Sequence, residues 1–478
     1  APSRSAPARL GAVTVVGNER VSTSAIREEM GLAAGQPLGD AALAQARERV
    51  TQMAVFRRVS VTWDELPQQP GRAQVIVNVV EAPATTLGWG GGLEVGRELR
   101  TAETGLEDHL EVSPRGFFEI GRQNLGGRNR SVNFFSRVAV NPRSAPDDPT
   151  RDGRGLSFSE YRVSGTYRER HAFRSDTDIL IGVTAEQGRR TTFNFARQGA
   201  NADIVRQLSP TVSISGRYEM NVTRLFDERI PPDEQLDIDR LFPQVRLSIL
   251  SSGVTWDRRD TPLSPTRGTF MTADIETAAR AIASEVGYVK TFFQASAFHS
   301  LNAKTVLAMR AEVGMARGFE RTVAVFDANG QPLLDADGNP VFQTVSDVPA
   351  SQRFFAGGGT TVRGFQTDQL GVPEVLDANG LSLGGNGVVI LNAELRRVVG
   401  TVLNRNFAVV GFLDGGNVFA HASDIDLDRI RRSVGGGVRW DSPLGPLRFD
   451  VGFKLNHLDV GTTPEREWEY HLSIGEAF

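Results

Sequence analysis

The side chains best equipped for chemistry in this chain are scattered. Six histidines, His109, His171, His299, His421, His457 and His471, show no H-E-x-x-H or comparable metal-ligand spacing. No G-x-S-x-G elbow presents a nucleophile, and Gly357-Gly358-Gly359 lacks the spacing and the following helix of a phosphate loop. Cysteine is absent, which excludes disulfides, thiolate catalysis and thiolate-ligated zinc or iron–sulfur sites. Acidic and serine residues in the loops read as solvated surface rather than a hydrolase site. What remains is charge-assisted pairing. Arg363 lies in the run Arg353-Phe354-Phe355-Ala356-Gly357-Gly358-Gly359-Thr360-Thr361-Val362-Arg363-Gly364-Phe365, and its planar guanidinium can hold one or two carboxylates in bidentate fashion. Counting in twos from Leu391 and Leu395 sends Glu394 to the opposite face of a strand, and counting in the next strand lets Asp414 share that side. No catalytic residue, metal or cofactor is expected.

The elements that would position these groups are strands. From Val389 to Arg396, Val389, Leu391, Ala393 and Leu395 take one face while Ile390, Asn392, Glu394 and Arg396 take the other. Leu307, Met309, Ala311 and Val313 alternate in the same way with Ala308, Arg310, Glu312 and Gly314. About sixteen such segments follow one another after residue 84, the even number of a closed antiparallel membrane barrel. Alternation alone fits a soluble sandwich as well, so connection lengths decide. Short connections are expected at Asn124 to Asn129, Leu208 to Pro210, Leu301 to Lys304, Val398 to Asn406 and Asp441 to Pro446. Long, charged ones are expected at Glu98 to Ser113, Asn141 to Arg154, Phe226 to Arg240 and Gly318 to Gly385, in strict alternation with the short turns. The longest, 318–385, contains Arg363 and is expected to fold inward into a polar lumen.

Residues 1–9 read as a tail or linker remnant. Residues 10–83 read as strand, helix, helix, strand, strand, a small α+β unit. Its first helix spans Ser22 to Met30 and is broken by Gly31; its second begins at about Asp40, taken as the N-cap, and runs to Met53. Two strands follow, Phe56 to Trp63 and Gln74 to Val80.

Composition describes an ordered chain that is neither disordered nor helix-dominated: 478 residues, 50 glycines, 27 phenylalanines and 40% apolar residues, with a mean hydropathy of -0.24. No run reaches the roughly 18 uncharged apolar residues of a membrane-spanning helix. A formal charge of -4 gives no reason to expect nucleic-acid binding. Lysine occurs only at Lys290, Lys304 and Lys454, leaving nearly all positive charge to arginine, whose multiple donors suit a polar interior. The chain opens Ala1-Pro2-Ser3 without a charged n-region or apolar h-region, so any export signal is expected to have been removed or to lie outside it.

Several stretches, in the right order, resemble one family. Val362-Arg363-Gly364-Phe365 is similar to the V-R-G-F or V-R-G-Y tip of the sixth extracellular loop in the BamA/TamA superfamily of outer-membrane assembly and translocation barrels. Asp257-Arg258-Arg259-Asp260, with Pro265 and Gly268, resembles its D-x-R-D-x-x-x-x-P-x-x-G turn. Gly384-Gly385-Asn386, leading to Glu394-Leu395-Arg396, is similar to the strand after that loop. Gly411-Phe412-Leu413-Asp414-Gly415-Gly416 resembles the next strand's aromatic-x-D-x-G pattern, and Tyr470 to Phe478 resembles the terminal assembly signal with its final aromatic. Val13-Thr14-Val15-Val16-Gly17-Asn18, Gly35-Gln36-Pro37-Leu38, Phe56-Arg57-Arg58-Val59 and Glu81-Ala82-Pro83 look like one POTRA domain.

The resemblance implies an all-β transmembrane barrel of about 16 antiparallel strands, 84–478, in the outer membrane of a Gram-negative-type bacterium, with the POTRA domain in the periplasm. It implies a loop tip docked on Glu394 and Asp414, with Gly364 close to the wall and Phe365 in the lumen. It also implies insertion of unfolded outer-membrane clients, through a lateral gate between the first and last strands, with accessory subunits bound at the POTRA domain. Glycines at Gly88, Gly90, Gly91 and Gly92 in the first strand, and Gly475 near the terminal Phe478, weaken strand pairing there. The alternative is a TamA-like or two-partner-secretion-type pore for polypeptide or lipid. BamA-like relatives usually carry several POTRA domains and TamA-like ones three, so this chain is expected to be either the C-terminal part of a longer protein or a shortened family member, the Pro/Ala/Arg-rich start favouring the first.

Overall fold

The computed structural model describes residues 8–53, 55–66, 69–102, 105–127, 130–141, 157–170, 172–226, 230, 234–262, 264–325, 333–335, 337–442, 445–458 and 465–474. For 93–102, 105–113, 141, 157–159, 174, 241, 445–446 and 473–474 it describes the backbone alone. Gly475 and Phe478 therefore lie outside the described residues.

The first elements are β1 (Arg9–Val16), α1 (Thr23–Met30), α2 (Asp40–Gln52), β2 (Phe56–Glu65) and β3 (Arg72–Glu81). Ser22 caps α1 by accepting a hydrogen bond from the Ala25 amide at 3.2 Å, and Gly31 ends it in the left-handed conformation at φ 62°. The expected cap of α2 is corrected. Gly39 occupies the N-cap and Asp40 is the first helical residue, where its charge favours the positive end of the helix dipole. β3 is the central strand, parallel to β1 and antiparallel to β2. Its alternation sends Ala73, Val75, Val77 and Val79 against Ile26, Met30, Leu43, Ala46 and Val50, all buried.

Sixteen strands then form one antiparallel sheet. They begin with β4 (Thr85–Ala102), β5 (Gly105–Leu125), β6 (Arg130–Asn141), β7 (Ser157–Glu169), β8 (Thr177–Arg189) and β9 (Asn194–Ser209). They continue with β10 (Val212–Phe226), β11 (Gln244–Asp257), β12 (Gly268–Ala278), β13 (Tyr288–Asn302) and β14 (Thr305–Gly318). A small separate hairpin, β15 (Arg321–Ala324) with β16 (Phe342–Val345), interrupts the series. The sheet closes its sequence with β17 (Gly387–Val402), β18 (Arg405–Phe419), β19 (Arg431–Ser442), β20 (Gly445–Lys454) and β21 (Trp468–Ile474). Each strand neighbours the next in sequence, β14 and β17 pair directly, and β4 and β21 stand at the two ends of the order. This is an all-β transmembrane barrel preceded by a small α+β domain. Among the described residues no helix is long and apolar enough to cross a membrane.

Alternation places the faces. In β14 and β17, Met309, Leu391 and Leu395 are exposed on the outside, as lipid contact requires, while Arg310, Glu312, Asn392 and Glu394 are buried inside. The tight turn from β17 to β18 holds Leu403 (φ 52°) and Asn404 (φ 59°), the paired positive φ values of a two-residue hairpin with matching twist.

Two expectations about connections are corrected. Residues expected to form a long loop from Glu98 to Ser113 are strand instead: β4 runs to Ala102 and β5 starts at Gly105. Backbone ladder bonds do not depend on side-chain polarity, so a charged sequence does not by itself end a strand. Residues 190–193, joining β8 to β9, are also few, so long and short connections do not strictly alternate. The expected loop from Asn141 to Arg154 falls mostly outside the described residues. The connection after Phe226 carries α3 (Asp237–Leu241), and the longest spans 319–386.

The interior is not wholly polar. Val362, Phe365, Leu370, Val372 and Val375 of the long connection pack with Leu247, Tyr288, Val388, Val418 and Phe419 of the walls into a buried apolar core.

Candidate functional site

Arg363 is 1% exposed, as are Glu394 on β17 and Asp414 on β18. The Arg363 Nε and Nη2 donate to the two oxygens of Asp414 at 2.7 and 2.9 Å, and its backbone N–H donates to the same carboxylate at 3.1 Å. Its Nη1 donates to Glu394, and its guanidinium stacks on Phe412 with 3.6 Å to the ring centroid. Each planar fork is thus matched by a carboxylate, the geometry in which a buried charge is least costly.

The cluster is larger than the three residues expected. Arg396 donates to Glu394 at 2.7 Å, and Arg439 of β19 donates to Glu394 at 3.3 Å and to Asp450 of β20 at 2.7 and 3.1 Å. Arg448 donates to Asp450 at 3.1 Å and to the Gly359 carbonyl at 2.9 Å. Arg363 itself stands 3.9 Å from Asp450. Four guanidiniums therefore surround three carboxylates. Arg310 of β14 adds bonds to the Thr360 carbonyl at 2.6 Å and to Asn392 at 3.1 Å, while Asn392 donates to the Thr361 carbonyl at 2.7 Å. The loop tip is gripped along its backbone as well as at its arginine.

The other residues of the tip have equally definite places. Val362 and Phe365 are fully buried, and the Phe365 ring has the Arg431 guanidinium 4.6 Å and the Lys454 ammonium 5.1 Å from its centroid. Gly364 has φ 91°, and a Cβ there would sit 3.0 Å from the Ser433 Cβ and 3.2 Å from Gly452 backbone. Ser433 donates to the Arg363 carbonyl.

Upstream, the loop has a second anchor. Arg353 donates to Asp239 of α3 at 2.6 Å, to the Val348 carbonyl at 2.7 Å and to the Leu383 carbonyl at 3.0 Å, with both charged groups buried. Arg190 makes two 3.0 Å bonds to Asp368.

The turn around Asp257-Arg258-Arg259-Asp260 is self-contained. Asp260 accepts from the Thr266 hydroxyl at 2.6 Å and from the Thr266, Thr261 and Arg267 amides at 2.9, 3.0 and 3.2 Å. The Thr266 hydroxyl foremost, with those amides, holds its carboxyl well below the usual range against slight burial. Gly268 is required here: at φ 105° a Cβ would strike the Arg258 carbonyl at 2.1 Å.

Of the glycines expected at the seam, Gly88, Gly90, Gly91 and Gly92 all lie within β4. The Phe117 ring covers Gly90, where a Cβ would approach it to 2.5 Å, and a Cβ on Gly88 would meet Glu119 at 3.7 Å. A Cβ on Gly92 would meet nothing within 4 Å. Among the described residues no cluster of three or more His, Asp or Glu stands ready for a metal ion.

A 16-stranded membrane barrel behind a small α+β domain, with an arginine-tipped loop clasped by interior carboxylates, defines a class of outer-membrane barrels. The chain belongs to the Omp85 superfamily: residues 124–478 match the Omp85 superfamily domain, and residues 8–82 match the POTRA family, described as a surface antigen variable number repeat. It is 25% identical over 468 residues to the outer membrane protein assembly factor BamA of Nitratidesulfovibrio vulgaris, covering 98% of this chain and 51% of that protein. To the BamA of Neisseria meningitidis it is 22% identical over 506 residues, covering 98% and 56%. The chain thus spans about half the length of the curated relatives it matches. Among solved structures, BamA from Haemophilus ducreyi lacking POTRA domains 1–3 shares the fold with a TM-score of 0.67 at 16% identity, covering 97% of this chain and 84% of that one. CdiB from Acinetobacter baumannii gives 0.55 at 12% identity, covering 97% and 72%. Fold and family make this a bacterial outer-membrane protein.

Proposed function

We propose that this protein inserts and folds β-barrel proteins in the outer membrane through a lateral gate between β4 and β21, without covalent chemistry or a cofactor. Residues 10–83 form the POTRA domain on the periplasmic side, 84–478 the barrel, and 318–385 the inward-folded sixth loop. The observation that carries the reading is the buried Arg363 clasp. It braces the walls from β17 to β20 around the loop tip, so opening is directed to the sheet's two ends. There β4 is rich in glycine, and among the described residues β21 pairs with β20 from Trp468 to Ile474. A client strand adds to an exposed edge by backbone hydrogen bonds, which lowers the barrier to pairing in lipid. Its partners are unfolded outer-membrane clients, accessory subunits recruited to the POTRA strand edges, and the surrounding lipid.

Reconstitution tests this. Liposomes containing the protein should fold an added unfolded β-barrel client faster than protein-free liposomes; equal rates would contradict the reading. The second reading, a pore for polypeptide or lipid, is supported by the polar interior wall at Asp203, Asn221 and Thr223. Large conductance after removal of 318–385, together with export of a soluble passenger, would favour it.

A further inference from the structure

The last strand touches the loop tip. β21 turns Glu469 inward and Trp468 and Leu472 outward, which sets His471 on the inner side. The Gly364 N–H donates to His471 Nε2 at 3.2 Å. The His471 Cβ also lies 3.1 Å from where Gly359 would carry a side chain. The segment from Gly359 to Gly364 is therefore held by carboxylates of β17 and β18, by Arg448 of β20 and by the imidazole of β21. Of these strands, only β21 ends the sheet order.

The direction of this hydrogen bond is constrained. Gly364 at φ 91°, packed against Ser433 and Gly452, has its amide aimed by the backbone. Nε2 accepts only on a neutral ring with its proton on Nδ1. The charged groups around the ring are Arg448 and Asp450 of β20, Arg363 of the loop and Asp414 of β18. Outward movement of β21 removes the acceptor from an amide that cannot turn to follow it.

We propose that His471 is a positioning residue that ties the loop tip to the terminal strand, so that displacement of β21 and release of the plug occur together. This rests on the gate reading above and adds to it the contact that couples gate and plug. A single hydrogen bond suits that task, because its loss shifts an equilibrium by about threefold to tenfold and leaves the arginine clasp able to recapture the tip.

The test uses the full-length protein in planar bilayers with no client present, reading the frequency of large-conductance openings. His471→Phe keeps a ring without an acceptor, His471→Asn is polar but too short, and His471→Gln restores an acceptor at similar reach. Heat-resistant gel mobility identifies which variants fold. Phe and Asn variants should open about threefold to tenfold more often than wild type, and the Gln variant should return to near the wild-type frequency. Wild-type frequency in whichever of the first two folds overturns the proposal, as does a folded Gln variant that opens as often as they do. Because no client is involved, this outcome is separate from that of the gate reading, which client insertion judges.

Discussion

Gly364 of the loop tip and Gly452 of β20 meet backbone to backbone: a Cβ on Gly452 would lie 2.6 Å from the Gly364 nitrogen. No side chain fits between them. The arginine clasp depends on this approach, since the tip must lie against the wall before Arg363 can reach Asp414.

Gly452→Ala should therefore lift the tip and weaken the clasp, with an overpacking cost of about 1–3 kcal/mol. Thermal unfolding in detergent should show a lower midpoint than wild type. An unchanged midpoint would mean that the tip does not sit against β20.

Arg363→Ala leaves Glu394 and Asp414 buried without their main partner, a loss of about 3–5 kcal/mol. Both heat resistance and client insertion should fall. Arg363→Lys keeps the charge but not the two-pronged fit, so it should recover only part of the loss. Full activity in the alanine variant would count against the clasp.

Asp450 separates two readings of the cluster. It stands 3.9 Å from Arg363 but binds Arg439 and Arg448 at 2.7 and 3.1 Å. Double-mutant cycles should give a larger coupling for Arg363 with Asp414 than for Arg363 with Asp450, and a large one for Arg439 with Asp450. The reverse order would show that the loop tip docks elsewhere.

These residues also mark how far the sequence could be read. Glu394 and Asp414 were legible because period-two alternation in β17 and β18 sorts their side chains to one face. Arg448, Asp450 and Lys454 carry the same signal, alternating with Leu447, Phe449, Val451 and Phe453, but alternation names a face and not a height. Which interior residues meet depends on stagger between strands, as in the pairing of Arg439 with Arg448 across β19 and β20. That stagger is a property of the closed sheet and has no local sequence mark. The ends of β4 and β5 carry no such mark either, since a charged sequence does not show where backbone pairing stops. His471 carries no local sequence mark, because its partner is a backbone amide over a hundred positions away.

In the POTRA domain, Glu81 accepts from the Glu19, Arg20 and Val21 amides at 3.0, 2.8 and 2.8 Å and from Arg20 Nε at 2.9 Å. Burial raises its carboxyl, but those bonds outweigh it and hold the group below the usual glutamate range. A folded pKa below the unfolded one contributes stability that is present above the unfolded value and lost as pH falls through the folded value. Stability of this domain should therefore decline from about pH 5 downward, and Glu81→Gln should flatten that decline. Thermal melts across this range check it; identical slopes would remove Glu81 from the account.

The central claim is tested most directly by cross-linking β4 to β21 and measuring the rate at which an unfolded β-barrel client inserts into liposomes carrying the locked protein. Insertion should drop to the protein-free rate and recover when the cross-link is cleaved. An undiminished rate in the locked form would contradict the lateral gate.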